Sequence, residues 1–145
     1  MTALSQIYAE IDARLSALPT VQLYERMPSG DPDIFPALAV FDDGDEPAEQ
    51  EASSTRLSLS LTVEGYMNGV GGAATHDQLL ALHAAVVRAL CGDEGTNLGG
   101  LVENIEITGR RRVVVAPLSK ERHLSFGQDF EILYSTVRGD PASFA

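Results

Sequence analysis

Two long stretches of the sequence alternate apolar and polar residues, and this period of two is typical of β-strands. In the stretch 56–67, RLSLSLTVEGYM, one face carries Leu57, Leu59, Leu61 and Val63. In the stretch 123–137, one face carries Leu124, Phe126, Gln128, Phe130, Ile132 and Tyr134. Both exceed the usual strand length of about five or six residues. We predict that the apolar residues of these faces form the core and pack against two helices.

Helical spacing marks two other segments. Near the N-terminus it places on one side Leu4, Ile7, Tyr8, Ile11, Leu15 and Leu18, and Pro19 ends the pattern. A second helix presents Leu79, Leu82, Val86, Val87 and Leu90. Thr75 and Gln78 have the spacing of a capping box, which predicts that this helix opens at Thr75. Gly92 is predicted to end it in a left-handed conformation.

Shorter runs predict the remaining strands at 20–26, at 34–42 with Pro36 near the start, and at 101–117 with a break at Gly109. The element order α-β-β-β-α-β-β predicts an α+β fold, a largely antiparallel mixed sheet with two helices packed on it. We assign residues 1–138 to a single domain of this kind and expect 139–145 to be a loose C-terminal tail. The polar second face of the long strands is expected to serve contacts outside the monomer core.

Charge is distributed unevenly along the chain. The segment 42–51, DDGDEPAEQE, has six acidic residues in ten. Because regular structure would bring like charges together, we expect an exposed, poorly ordered loop here. The segment lacks the ligand spacing of an EF-hand calcium loop. A net charge of −11 argues against binding nucleic acid by phosphate neutralisation and against docking on anionic lipid. No apolar run approaches the roughly 20 residues of a membrane span.

Few residues suggest catalysis. His76 and Asp77 could form a general-base pair, but we favour a structural interpretation, in which Asp77 complements the helix dipole and His76 is an exposed first-turn residue. His83 has the position of a boundary residue. Cys91 lies near a helix C-terminus, where the thiol pKa is not lowered, and is interpreted as a small buried residue. The Gly-rich stretch 69–78 lacks the ending of a phosphate-binding loop. We expect no enzymatic activity, no cofactor and no essential metal.

Arg110, Arg111 and Arg112 follow one another on a predicted strand, so their side chains alternate between its faces. In a protein of this charge we expect them to pair with carboxylates, either of the same chain or of a neighbouring subunit. The sequence leaves both possibilities open. The candidate partners across a subunit interface are Asp42, Asp43, Asp45 and Glu46.

The element order and three quoted stretches resemble a known family. They are LYERMPSGDPDIFPALAVFDDGDE, then TRLSLSLTVEGYM before the helix THDQLLALHAAVVRAL, and the closing FGQDFEILYSTV. Together they resemble the tail terminator proteins of long-tailed phages and related tail-like particles. The resemblance spans nearly the whole chain and depends most on DIFPALAVF, an apolar strand that follows Phe-Pro and leads into acidic residues.

This resemblance implies a non-enzymatic virion protein of the tail or neck, assembled in the host cytoplasm. Tail terminators form a hexameric ring on the tail tube protein, stop tube polymerisation and offer a surface to the head–tail connector protein. DNA passes through the lumen without specific binding, so clustered carboxylates could repel it there or meet arginines at the rim. The alternatives are another neck or head–tail joining component, or a small α+β enzyme or ligand-binding module.

Overall fold

The computed structural model describes residues 1–69, 72–118 and 121–145, and the side chains of all of these except 116–118 and 121–122. In chain order the elements are α1 (Ala3–Ser16), β1 (Leu23–Arg26), β2 (Ala37–Gln50), β3 (Ser54–Gly69), α2 (Gly72–Cys91), a 3₁₀ turn (Leu98–Gly100), β4 (Asn104–Leu118), β5 (Glu121–Val137) and β6 (Asp140–Phe144). The predicted α+β class and the order α-β-β-β-α-β-β are confirmed, with β6 added at the end.

All six strands belong to one sheet, in the spatial order β1-β2-β3-β5-β4, and β6 also pairs with β5. β1 runs parallel to β2, and the other pairings are antiparallel, so the sheet is mixed. The two long alternating stretches are the central pair: β3 and β5 stay in register from Ser54–Val137 to Gly69–Arg122. Their apolar faces therefore lie side by side in the middle of the sheet.

The core lies between this face of the sheet and the two helices. The prediction from the alternating stretches is confirmed, because Leu57 is partly buried and the remaining members are at most 1% exposed: Leu59, Leu61, Val63, Phe126, Phe130 and Ile132. The helices contribute fully or almost fully buried side chains from one stripe each: Ile7, Ile11, Leu15, Leu79, Leu82, Val86 and Leu90. α1 begins with a capping box in which the Thr2 side chain accepts from the Ser5 backbone.

The expectation of an irregular acidic loop is wrong, although its exposure is confirmed. Residues 42–50 continue β2, paired with β3 as far as Gln50–Thr55, and every one of them is exposed. Since β1 pairs with β2 only up to Val40, the acidic part is an edge strand with no other described strand on its outer side. Alternation and two register shifts distribute the carboxylates over both faces, where water screens their repulsion.

Residues 139–145 were expected to be loose, and this is also wrong for most of the segment. Asp140–Phe144 form β6, which pairs with β5 at Thr136 and Val137 beyond the end of β4. Phe144 packs against the core. The backbone groups of β5 beyond β4 are thereby satisfied, and burial of one aromatic ring accompanies the pairing.

The predicted start of α2 differs from the structure, whereas its predicted end before Gly92 is confirmed and only the conformation of Gly92 differs. The helix begins at Gly72, so Thr75 is a buried residue of its first turn and not the cap. Gly92 does not have a positive φ. Instead its N–H donates to the Arg88 carbonyl at 2.9 Å, and a Cβ at this position would lie 2.3 Å from the same oxygen. Glycine is needed there because the backbones approach closely.

Candidate interaction surface

β4 forms one edge of the sheet and contains a large irregularity. Thr108 pairs with Asp129 and Arg112 with Gly127, so residues 109–111 lie opposite one residue of β5, Gln128. Gly109 has φ of 71°, which a residue with a side chain adopts at a cost. The predicted break at Gly109 is confirmed as a bulge. A bulge changes the direction of the side chains around it, here those of the arginines at the sheet edge.

The buried side chain of Gln128 binds the backbone on the inner side of the bulge. Its side chain is 2% exposed, and Nε2 donates to the carbonyl oxygens of Thr108 at 3.1 Å and Asp129 at 3.3 Å. Its Oε1 lies 3.0 Å from Nε2 of His83 on α2, and the His83 ring meets Phe126 edge-on at 5.1 Å. His83 is therefore a boundary residue, as expected, and it links α2 to the bulge of β4.

Arg112 is paired within its own chain. Nη1 and Nη2 donate to the Asp129 carboxylate at 2.9 and 3.0 Å. The Thr62 hydroxyl lies 2.8 Å from Asp129 and 2.5 Å from Asp43, and its single proton can go to only one of them. The hydrogen bonds from Arg112 hold the pKa of Asp129 below its usual value, against the opposing effect of its partial burial. One of the three arginines is thus committed to a carboxylate on the exposed sheet face.

Arg110 and Arg111 differ from Arg112. Arg110 is exposed and Arg111 is half-buried. Among the residues that the structure describes, neither has a carboxylate partner within 4.0 Å, and Nη1 of Arg111 is buried without a hydrogen-bond acceptor. Arg112 is therefore used for internal pairing, Arg110 is exposed and available for external contacts, and Arg111 is unpaired but only partly accessible.

Exposed apolar side chains follow the arginines on β4. Val113, Val114 and Val115 are 44%, 54% and 59% exposed, and Ile107 before the bulge is 48% exposed. Successive residues of a strand face opposite sides, so the valines present apolar surface on both faces of the same edge. The outer hydrogen-bonding groups of β4 pair with no other described strand. A long apolar edge of this kind favours pairing with another chain.

The acidic segment of β2 lies at the opposite side of the sheet from β4. The Tyr134 hydroxyl donates to Asp45 at 2.6 Å, and Glu49 lies 3.8 Å from Arg56. Glu46 and Asp42 are exposed. The structure thus brings Asp43 close to Arg112 through Thr62 and Asp129, but it keeps the remaining predicted acidic residues away from Arg110 and Arg111.

The residues considered for catalysis are not brought together. His76 and Asp77 are exposed on α2. In residues 1–69, 72–118 and 121–145, no group of three or more His, Cys, Asp or Glu side chains could hold a metal ion. Burial, assisted by the charge of Glu106, raises the pKa of the Cys91 thiol to about 11, which keeps it protonated at neutral pH. No helix in the described part of the chain is long and apolar enough to cross a membrane.

Two features of this surface were missed from the sequence. Gln128 was placed on the buried face of β5, but its role in joining His83 to the bulge has no sequence signal. The exposed valines do have one, since three consecutive valines interrupt the alternation seen elsewhere and sit beside three arginines. That break in pattern is what a strand with apolar groups on both faces of an edge produces.

No protein-family model matches the sequence, and no curated protein matches it. A chain from a solved structure described as "Virion of native gene transfer agent (GTA) particle" is similar over 91% of this chain and 92% of that chain, with 18% sequence identity and a TM-score of 0.41. A likeness this distant assigns no function, so the functional argument below depends on the residues themselves.

Proposed function

We propose that this protein is a structural component of a phage-like particle: a tail terminator that caps the tail tube as a hexameric ring. The cap stops tube polymerisation and provides the surface for head attachment. The sequence resemblance described above supports this function. The structural observation that carries it is the edge strand β4, whose outer side is unpaired among the described strands and whose valines are exposed.

This observation favours a subunit of an assembly over a protein that works alone. Soluble monomers protect a long sheet edge with charge, proline, a bulge or a covering element. β4 has a bulge, three arginines and Pro117, but between the arginines and the proline it continues through Val113, Val114 and Val115, which are exposed and apolar. Their burial would stabilise an interface by roughly 25 cal/mol for each Å² removed from water.

The role of the polar residues also fits a non-catalytic protein. Two carboxylates of the sheet are held in structural contacts: Asp129 by Arg112 and Asp45 by the Tyr134 hydroxyl. Cys91 is held as a neutral thiol. We therefore propose that the chain works by assembly and has no enzymatic activity.

The test uses the purified full chain and the tube protein of the same particle. Tubes are polymerised with and without the chain, and their lengths are measured by negative-stain electron microscopy. We expect the chain to add density at one tube end and to halt growth there. Val114→Asp should lose this effect, and Arg88→Glu, a charge change on the exposed side of α2, should keep it. Unchanged tube lengths with bare ends would contradict the function. Binding only to heads or to already capped tubes would favour another neck component.

A second candidate function, ligand binding, is favoured by one observation. A hollow of about 870 Å³ lies between the end of α1, the chain before β2 and α2, within the size range of small-molecule sites. Apolar side chains such as Phe35, Met67 and Leu82 line it together with Asp33 and Arg88. Thermal melting with a panel of metabolites tests this candidate, and a saturable rise in melting temperature that Leu82→Trp abolishes would favour it.

A further inference from the structure

The two free edges of the sheet carry opposite charge. At one edge, β4 has Arg110 and Arg111 without carboxylate partners among the described residues. At the other, the acidic part of β2 extends beyond the last β1 pair, Arg26–Val40. Along this part of β2 the carboxylates are Asp42, Asp43, Asp45, Glu46 and Glu49, and all are exposed. The sheet is thus complementary to a second copy of itself, edge to edge.

We propose that β4 of one copy pairs with the acidic part of β2 in the next copy, so that the sheet continues across the subunit boundary. The exposed Arg110 and the half-buried Arg111, whose buried Nη1 has no acceptor, would meet the carboxylates of β2, and the exposed valines would lose contact with water. Arg112 takes no part, because Asp129 already holds it. This inference deepens the proposed function, on which it rests, by naming the surfaces through which subunits of the ring would meet.

The negative charge of the β2 edge explains why the partner of β4 is a second copy of this chain. Charge, Pro47 and two register shifts protect this part of β2 from ordinary apolar strands. A strand that carries unpaired cations overcomes the charge barrier, and β4 is such a strand. Two acidic edges would repel each other, which opposes a β2–β2 contact.

The geometry of the two edges leads to a closed assembly. An interface between two different surfaces of the same chain is heterologous, so every bound copy still presents one free β4 and one free β2. Copies then add until the first meets the last, which gives a ring if the rotation closes. Backbone hydrogen bonds and valine burial supply most of the affinity, and charge sets the register and excludes wrong partners.

The experiment reverses charge at each edge separately. The first variant is Arg110→Glu with Arg111→Glu, and the second is Glu46→Lys with Glu49→Lys. Arg88→Glu on α2 is the control for a change of net charge. Analytical ultracentrifugation of the full chain, without tube protein, gives the mass of each. Circular dichroism and thermal melting check that every variant is folded.

We expect the wild type and Arg88→Glu to self-associate, and each double variant to associate at least about tenfold more weakly. A mixture of the two double variants should assemble again, because the lysines introduced on β2 of one variant can pair with the glutamates introduced on β4 of the other, while the second kind of contact keeps its native charges. Hydrogen exchange in the assembled state should protect the backbone amides of both edges.

Three results would overturn the proposal. One is a wild-type chain that stays monomeric up to its highest soluble concentration. Another is a folded mixture of the two variants that does not recover. The third is a dimer that the β2 reversal leaves unchanged, which would indicate β4–β4 pairing. The tube-capping experiment is independent of all three, so the strand-edge contact can fail while the proposed function stands.

Discussion

The side chain of Gln128 meets the imidazole of His83 inside the protein, with Gln128 Oε1 3.0 Å from His83 Nε2. Because the amide nitrogen of Gln128 faces the carbonyl oxygens of Thr108 and Asp129, the oxygen must face His83. His83 therefore carries its proton on Nε2 and donates it. A single buried amide thus ties the helix layer to the bulge that displays Arg110 and Arg111.

This relationship predicts the effect of Gln128→Leu. The substitution introduces an apolar side chain of similar size and leaves the Thr108 carbonyl and the His83 N–H without partners. We expect the free energy of unfolding to fall by about 1–3 kcal/mol in urea titrations. The matched control Gln78→Leu, on the exposed side of α2, should change it by less than about 0.5 kcal/mol. Equal losses in the two variants would show that the Gln128 contacts contribute nothing.

The Arg112–Asp129 pair predicts a small contribution to stability that depends on pH. The pKa of Asp129 is lowered on folding, so the contribution is present above its unfolded pKa and is lost as pH falls through the lowered folded value. The side chains are 47% and 35% exposed, which limits the coupling to about 0.2–1 kcal/mol at pH 7. A double-mutant cycle with Arg112→Gln and Asp129→Asn measures it. Coupling that stays undiminished down to the acid-unfolding limit would contradict this assignment.

Gly109→Ala tests the conformation of the bulge. A Cβ at Gly109 would make only an ordinary contact, 3.6 Å from Asp129 Oδ2, so the cost arises from φ of 71° alone. We expect a loss of about 1–2 kcal/mol in the free energy of unfolding. Gly30→Ala is the control, since Gly30 has no positive φ and nothing lies within 4 Å of the added carbon. If both variants are equally stable, the bulge is free to take another conformation.

The alternating stretches could be predicted because burial on one face of a strand imposes a period of two, and Leu59, Leu61, Phe130 and Ile132 follow it. The acidic half of β2 could not be predicted as a strand from the sequence. Its backbone pairs with β3 although its side chains bury nothing, so no apolar pattern marks it. Backbone pairing depends on the neighbouring strand, and that information lies elsewhere in the chain.

The candidate surface was predicted only in part. The sequence singled out Arg110, Arg111 and Arg112 but could not show which of them pairs with a carboxylate of the same chain. That pairing depends on the bulge at Gly109 and on which residue of β5 lies opposite each arginine. Spatial strand order decides that the acidic and basic runs occupy opposite edges. Sequence order alone does not reveal it, since β5 inserts between β3 and β4.

Leu61→Ala tests the position of the core. Leu61 is fully buried in the middle of β3, between Asp42 of β2 and Phe130 of β5. Truncation removes buried methyl groups and leaves a cavity, so we expect a loss of about 2–5 kcal/mol. Ser60→Ala on the same strand, at an exposed position, should cost less than about 0.5 kcal/mol. Denaturant unfolding of both variants gives the comparison. Similar free energies of unfolding would show that the face of β3 that carries Leu61 is not the core face.

Cys91 offers a chemical test of the packing at the end of α2. Burial raises the pKa of its thiol to about 11, and the negative charge of Glu106 adds to the effect. At pH 8 the folded protein should therefore hold only ~0.1% thiolate, whereas a thiol with the ordinary pKa of about 8.5 holds roughly a quarter. Reaction with a disulfide reagent should be at least about 100-fold slower in the native state than in denaturant, because the thiolate is the nucleophile.

Glu106→Gln removes the charge that disfavours the thiolate, so it should lower the pKa of Cys91 and speed the native reaction, while Glu103→Gln should leave the rate unchanged. A native thiol that reacts at pH 8 as fast as the unfolded one would contradict the partly buried position of Cys91.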